Sequence, residues 1–370
     1  MKRILIAAAG TGGHVFPALA VAEQLRSDGW QVVWLGSDEG RLESRVVPAA
    51  GFELHTITMQ GVRGHGLVRK LLLPLRLIKA FWQCRRIVRQ QRIQLVLTFG
   101  GYVCAPAGLA AKWCALPLLV HEQNAVVGLT NKLLARLANH VMLGFAAAQK
   151  QLPQAEVTGN PLRAEWSAPA PAAASAVPHL LVVGGSLGAR ALNQALPQAL
   201  AQLSGAAAAA KLPLTVLHQC GKDQVQQLRS AYAEAAVEQV EVVEFIDAMH
   251  SAYAAADVVI CRAGALTIAE LAVLGRPAIL VPLPHAVDDH QTANANTLVA
   301  AGAAYLLPQA ELLQIQPLVQ LLQQLLGDAD QRALMRANAA AVARADATAA
   351  VVQQCQHWVT PAVTKTGARL

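Results

Sequence analysis

The chain has 370 residues, 54% of them hydrophobic and 14% charged. It is too long for one ordinary core and suits two domains of about 150 to 200 residues each, and its composition excludes a disordered chain. The formal net charge of +7 is uneven: from Leu54 to His121 there is no Asp or Glu, while Arg63, Arg69, Lys70, Arg76, Lys79, Arg85, Arg86, Arg89, Arg92 and Lys112 supply ten positive charges, leaving 20 minus 23, or −3, elsewhere. The partner of that basic region should be anionic.

Apolar β-rich runs alternate with longer helical patterns from the start. Arg3 to Ala9 reads as a buried first strand, because its apolar run ends at Gly10 and is too short for a signal peptide. A helix follows near Phe16 to Ser27, then strands at Gln31 to Leu35, Gln94 to Thr98 and Leu118 to His121. Such alternation predicts parallel βαβ units. The Pro/Ala stretch from Ala168 to Pro178 is too simple to pack and is expected to be the linker. A second series then opens with His179 to Val183, a helix from about Ala189, and strands at Leu214 to His218, Val240 to Glu244, Asp257 to Ile260 and Ala278 to Val281. The expected domains are 1–162 and 163–344, with a C-terminal helix at about 345–370 packing back on the first.

Six cysteines are scattered without a C-x-x-C pair or a His at metal-ligand spacing, so neither a disulfide framework nor a zinc site is expected, and a reducing cytoplasm fits. No stretch approaches the roughly 20 apolar residues that span a bilayer, so any membrane contact should be peripheral. From Leu71 to Gln90 the pattern predicts an amphipathic helix with an apolar stripe at Ile78, Phe81, Trp82 and Ile87, flanked by Arg76, Lys79, Arg85, Arg86 and Arg89. Aromatic and basic residues on one helix suit an anionic phospholipid surface; an ordinary surface helix with a core-facing side is the other reading. No nucleic-acid signature accompanies the charge.

Three glycine clusters follow predicted strands: Gly10-Thr11-Gly12-Gly13-His14, Phe99-Gly100-Gly101-Tyr102 and Gly184-Gly185-Ser186-Leu187-Gly188-Ala189. Glycine lets backbone approach a ligand, and a helix starting just afterwards aims N–H groups at an anion. The first cluster has Val15 where a nicotinamide fingerprint needs glycine, the third departs from it as well, and no Gly-Lys-Ser/Thr marks a P-loop. Sugar-nucleotide chemistry survives better than redox or ATP hydrolysis.

The runs Gly10 to Ala20, His121-Glu122-Gln123-Asn124, Gly128-Leu129-Thr130-Asn131-Lys132, Gly159-Asn160-Pro161-Leu162-Arg163 and Gly264-Ala265-Leu266-Thr267-Ile268-Ala269-Glu270 resemble, in order and spacing, the lipid I N-acetylglucosaminyltransferase family of the GT-B class. The resemblance runs from residue 1 to about 340. It implies an α/β fold of two Rossmann-like, doubly wound parallel-sheet domains facing across a cleft, with UDP-GlcNAc and lipid I as substrates. No cofactor is implied. The setting would be the cytoplasmic face of the cell inner membrane, with cell-wall synthesis and division proteins as partners. Leu187 stands where that loop usually carries Gln, and Cys104, Ala105 and Ala107 replace small polar or Gly residues, which should stiffen the second loop.

Transfer to a sugar hydroxyl needs a general base, and His14 is the leading candidate; binding acceptor pyrophosphate or capping the helix are its other readings. His121 and Glu122 come next, with Glu122 expected at the catalytic centre and His121 also readable as structural. Thr11, Gly12 and Gly13 are expected to contact UDP-GlcNAc, and Gly12, Gly13, Gly100, Gly101 and Tyr102 the acceptor pyrophosphate. Ser186 and its loop suit the donor pyrophosphate, Arg163 a phosphate, and the Ile246 backbone the uracil. Ala265, Leu266, Thr267, Ile268 and Ala269 lead to Glu270, which the resemblance makes the ribose ligand, and Gln291 and Asn124 the sugar contacts. Asp288-Asp289 reads as a solvated pair, and no metal ligand is expected.

Overall fold

The computed structural model describes residues 1–59, 73–166, 177–185, 188–206 and 213–359. The chain divides into two compact units: one of Met1–Gln123, Val127–Arg163 and the segment from Asp346 on, the other of Asn124–Val126 and Ala164–Ala345.

The first unit comprises β1 (Arg3–Ala8), α1 (Gly12–Ser27), β2 (Gln31–Ser37), α2 (Leu42–Ala49), β3 (Glu53–Ile57), α3 (Leu73–Gln90), β4 (Leu95–Gly100), α4 (Cys104–Trp113), β5 (Leu118–Glu122), α5 (Leu129–Leu134), β6 (His140–Leu143) and β7 (Glu156–Val157). Its sheet runs β3-β2-β1-β4-β5-β6-β7, with each neighbouring pair parallel. Strands such as Leu95–Gly100 are buried throughout, as helices on both faces of a parallel sheet require. One face of β1 sends Ile4 and Ile6 into a core with Val15, Leu19 and Trp34; the other sends Leu5 and Ala7 toward Val96, Cys84 and Ala107. Each such large apolar side chain contributes about 1.5–3 kcal/mol on burial.

The second unit contains β8 (His179–Val183), α6 (Arg190–Ala206), β9 (Thr215–Gln219), α7 (Val225–Glu234), β10 (Val240–Val243), α8 (Met249–Ala255), β11 (Val258–Cys261), α9 (Ala265–Leu274), β12 (Ala278–Leu280), α10 (His290–Ala300), β13 (Ala304–Leu306), α11 (Gln316–Gly327) and α12 (Ala329–Val342). Its parallel sheet runs β10-β9-β8-β11-β12-β13. Finally α13 (Ala347–Val359) returns to the first unit, where Val351, Val352 and Cys355 join the core beside Ile4 and Val15. Thr348 Oγ1 donates to the Leu162 carbonyl at 2.7 Å, and Gln356 donates to Asp28 at 3.0 Å, so α13 lies along α1.

Both sheets reverse their winding at one place, between β1 and β4 and between β8 and β11. In doubly wound sheets the loops at the carboxyl ends of such a strand pair bind ligands. One expectation needs correcting. The first helix starts at Gly12 rather than near Phe16, so Gly12, Gly13 and His14 form its first turn. Of the apolar stripe on α3, Ile87 is a core residue of the first unit, packed with Cys84 and Val88. Ser186, Leu187 and most of the expected linker lie outside the described residues, as do Arg63, Arg69 and Lys70.

Candidate active site

At the switch point of the first unit the two glycine clusters lie side by side. β1 and β4 pair in parallel register, with Ala8 opposite Gly100. Gly100 and Gly101 take φ of +124° and +91°, and a Cβ on Gly101 would sit 2.6 Å from the Ala9 carbonyl oxygen. A Cβ on Gly100 would sit 2.7 Å from the His14 ring. Glycine is required at both because the backbones and the imidazole occupy that space. His14 Nδ1 lies 3.3 Å from the Ala9 carbonyl oxygen and 3.5 Å from Thr11 Oγ1. A carbonyl only accepts, so in the neutral ring Nδ1 carries the hydrogen and Nε2 the lone pair.

Glu43, on α2, is a residue that the sequence reading missed. Its carboxylate is fully buried and accepts from the Gly10 N–H at 3.0 Å, the Ser37 N–H at 3.3 Å and the Ser37 hydroxyl at 2.8 Å. It therefore fixes the start of the first glycine loop. At the start of α4, just after β4, the Cys104 thiol accepts from the Gly100 N–H at 3.2 Å and faces the Gly100 and Ala7 carbonyls at 3.0 and 3.3 Å. Burial pushes this thiol up to about 12, so it is a neutral brace of the loop. Tyr102 follows, partly exposed.

The His121 to Asn124 segment divides between structural and presenting roles. His121 Nε2 donates to the Gly159 carbonyl at 2.9 Å while Nδ1 accepts from Gln123 at 3.0 Å. Burial lowers its pKa to about 4, so the ring is neutral, with both nitrogens bonded within the protein. Glu122 Oε2 accepts from the Gly128 N–H at 3.0 Å and from Asn131 at 2.9 Å, anchoring the start of α5. The Arg163 guanidinium stands 6.0 Å from the Phe16 ring, above the second turn of α1.

In the second unit, α9 starts directly after β11, with Gly264 as its N-cap. Ala265, Leu266 and Thr267 have no preceding intrahelical carbonyl, so their N–H groups form the positive helix end; the Ile268 N–H is bonded to the Gly264 carbonyl at 3.0 Å. The Ile268 side chain is in the core, and Ala269 and Glu270 are half-buried. Glu270 lies close enough to Tyr253 and Cys261 to help raise both above their ordinary pKa, although burial is the larger cause for each. Ile246 is buried in the loop after β10. Gln291 opens α10, with its Oε1 accepting from the Leu283 N–H at 2.9 Å, so its amide nitrogen is the group turned elsewhere.

Asn294 is a second residue missed in the sequence. Fully buried, it accepts from the Ala125 N–H at 2.8 Å and donates to Asn124 Oδ1 and the Ala263 carbonyl, each at 3.2 Å. This holds Asn124 beside the N-terminus of α9. Asp288 and Asp289 both have left-handed backbone, and Asp289 accepts from the Thr292 hydroxyl at 2.7 Å. Among the described residues, no three His, Cys, Asp or Glu side chains gather as a metal ion would need.

A further surface belongs to α3 and α4. Ile78 and Trp82 are 55% and 51% exposed, and Trp113 is 65% exposed. Phe81 joins them, with its ring edge-on to Trp82 at 5.4 Å and to Trp113 at 5.8 Å, and the Arg85 guanidinium covers Trp82 at 5.1 Å. Arg86 and Arg89 are exposed on the same helix. Trp113, with Leu109 a turn earlier, extends the apolar surface beyond the helix singled out in the sequence. No helix among the described residues is long and apolar enough to cross a membrane.

The chain is similar to known proteins along nearly its whole length. The model of the glycosyltransferase family 28 N-terminal domain matches residues 4–143, and that of the C-terminal domain matches residues 179–363. A relative from Idiomarina loihiensis, named UDP-N-acetylglucosamine--N-acetylmuramyl-(pentapeptide) pyrophosphoryl-undecaprenol N-acetylglucosamine transferase, is 54% identical over 364 residues, covering 97% of this chain and 99% of its own. A relative of the same name from a Shewanella species is 50% identical over 359 residues, 96% of this chain and 97% of its own. The crystal structure of Acinetobacter baumannii MurG superposes with a TM-score of 0.81 at 40% identity, covering 96% of this chain and all of that one. The fold is α/β of the GT-B class, and the chain belongs to glycosyltransferase family 28.

Proposed function

We propose that the chain transfers N-acetylglucosamine, with inversion, from UDP-GlcNAc to the 4-hydroxyl of the MurNAc unit of undecaprenyl-pyrophosphoryl-MurNAc-pentapeptide, lipid I. The product is the β-1,4-linked lipid II of peptidoglycan synthesis. The observation that carries this reading is the 54% identity, over 97% of the chain, to a relative bearing the name of that transferase.

The residues divide the work by unit. In the second unit the N–H groups at the start of α9 and the glycine loop after β8 take the charge of the departing UDP, and Glu270 accepts from the ribose hydroxyls. Ser186 of that loop adds to the phosphate contacts, as does Arg163 at the end of the first unit's Val127–Arg163 segment, the Ile246 backbone reads the uracil edge, and Gln291 and Asn124 hold the sugar. In the first unit Gly12, Gly13, Gly100, Gly101 and Tyr102 receive the acceptor pyrophosphate, Thr11 with Gly12 and Gly13 contacts UDP-GlcNAc, and His14 is the base. Its Nε2 removes the proton of the acceptor hydroxyl as that oxygen bonds to the anomeric carbon. The anomeric bond to UDP breaks, and UDP leaves with the bonding electron pair. Glu122, with Oε2 engaged by Gly128 and Asn131, is a positioning residue in this scheme.

The exposed Ile78, Trp82 and Trp113 with Arg85, Arg86 and Arg89 suit docking on anionic phospholipid, at the cytoplasmic face of the inner membrane where cell-wall synthesis and division proteins would be its partners. The test is incubation of the purified chain with labelled UDP-GlcNAc and a short-chain lipid I analogue. Disaccharide product with UDP release is expected, and His14→Ala should lose it about a thousandfold while keeping UDP-GlcNAc affinity. UDP-GlcNAc binding without disaccharide, with or without magnesium, would overturn the acceptor assignment.

A further inference from the structure

Two hydrogen bonds described above meet on one peptide group. The Ala9 carbonyl that takes the His14 Nδ1 hydrogen and the Gly10 N–H that donates to Glu43 are the two ends of a single peptide unit, with distances of 3.3 and 3.0 Å. We infer that Glu43 acts on His14 through the Ala9–Gly10 peptide, as the acid member of a carboxylate–peptide–imidazole relay. This rests on the proposed role of His14 as the base.

The physical argument starts from the peptide. A carboxylate bonded to its N–H draws the peptide dipole toward the carbonyl oxygen, which becomes a stronger acceptor for the imidazole hydrogen, and bonds in such a chain polarise one another. When Nε2 takes the acceptor proton the ring becomes cationic, and the strengthened acceptor stabilises it at Nδ1. The same bond keeps the hydrogen on Nδ1 and the lone pair on Nε2 before the reaction. Burial enhances the effect: Glu43 is fully buried, and water does not screen its charge on that path. The bonding pattern is that of a carboxylate, with Gly10 and Ser37 N–H groups and the Ser37 hydroxyl directed at its two oxygens. The relay is confined sterically, since Gly101 lies against the Ala9 oxygen and Gly100 against the His14 ring, where any Cβ would displace them.

The other charged groups near α1 differ in sign or in place. Arg41, just before α2, reaches within 4.0 Å of the Cβ position of Gly10 and is paired with Glu39 at 2.6 Å. Arg45 lies further along α2, and Arg163 stands over Phe16. β2 carries no charged side chain and β4 none; the Cys104 thiol after it is neutral, and Glu122, at the end of β5 and near that thiol, is bonded to Gly128 and Asn131. α13 brings the neutral thiol of Cys355 and, beside the opposite end of α1 where Gln356 bonds Asp28, His357. Glu43 is the acid whose bond leads to the His14 ring.

The test is the pH profile of kcat/KM for Glu43→Gln in the full chain. The amide oxygen can still accept from Gly10 and its NH2 can donate to the Ser37 hydroxyl, so the loop keeps its Gly10 bond and loses the charge together with the longer bond from the Ser37 N–H. His14 must be neutral to act, so activity rises with pH through its titration. Loss of the negative charge should move that acid limb down by about one pH unit and lower the plateau roughly tenfold, with UDP-GlcNAc affinity unchanged. A lower plateau with the limb in place would mean that Glu43 only shapes the loop, and the relay would fall. Imidazole NMR of His14 in the unmodified chain decides the same point if the variant does not fold: the Nδ1–H tautomer is expected, and the Nε2–H tautomer would overturn the relay. If instead His14→Ala keeps its turnover, the base assignment itself fails, whatever the Glu43 profile shows.

Discussion

A methyl group is enough to test the loop geometry at the level of single residues. Gly101→Ala would place a Cβ 2.6 Å from the Ala9 oxygen at a φ of +91°. Strain of this kind costs about 1–3 kcal/mol, and relief would push the Ala9 carbonyl away from His14. The expected outcome is a modest loss of stability with a much larger loss of turnover, checked by melting curves beside initial rates. Asn294→Ala makes a different prediction. It leaves the buried Ala125 N–H without its acceptor and removes the bond from Asn294 to Asn124 Oδ1, at a cost of about 1–3 kcal/mol. The kinetic loss should fall on UDP-GlcNAc, as a raised KM for the donor with the acceptor KM unchanged. Glu43 and Asn294 share the reason for which sequence reasoning passed over them. Each works by bonding backbone from another segment, Gly10 from 33 positions away and Ala125 from 169, and a single acidic or amide side chain on a helix carries no local mark of such a partner.

For the secondary-structure elements, the sequence was legible where burial is continuous. β1, β4, β8 and β11 read as unbroken apolar runs because parallel strands covered on both faces need no polar alternation, and they are the strands that frame both switch points. β7, with two residues, and β13, with three, are too short to leave a pattern. α3 was read correctly as amphipathic, yet Ile87 faces the core and the exposed aromatic surface is completed by Trp113 from α4, a neighbour that periodicity within one helix does not reveal. The surface itself makes a prediction. Trp82→Ser combined with Trp113→Ser removes two large apolar groups while leaving the arginines, and should reduce sedimentation with vesicles containing anionic lipid by about tenfold or more. Turnover of a water-soluble acceptor analogue should be unchanged. Equal binding by the double variant would assign the docking to charge alone, and added salt would then abolish it.

Across the whole molecule, both units carry the same acid liability in separate cores. His121 in the first unit is fully buried, donates to the Gly159 carbonyl, and has its pKa lowered by burial to about 4. His218 in the second is equally buried between Tyr232 and Asn193, at 2.8 and 3.0 Å, with its pKa lowered by burial to about 3. In the unfolded chain each titrates near pH 6.5. Below that pH the unfolded state binds protons that the folded state refuses, so the unfolding free energy falls as the pH drops. The slope is about 1.4 kcal/mol per pH unit for each histidine, and flattens only once the folded-state pKa is passed. A two-unit chain need not unfold in one step, and each transition should then carry the slope of its own histidine. Denaturant unfolding between about pH 7 and pH 4.5 should show stability falling throughout, and His218→Gln should flatten the pH dependence of the second unit's transition to the part left by His179, whose pKa burial also lowers, while leaving that of the first. If both transitions kept their slopes in that variant, the acid sensitivity would have to come from groups other than the buried imidazoles.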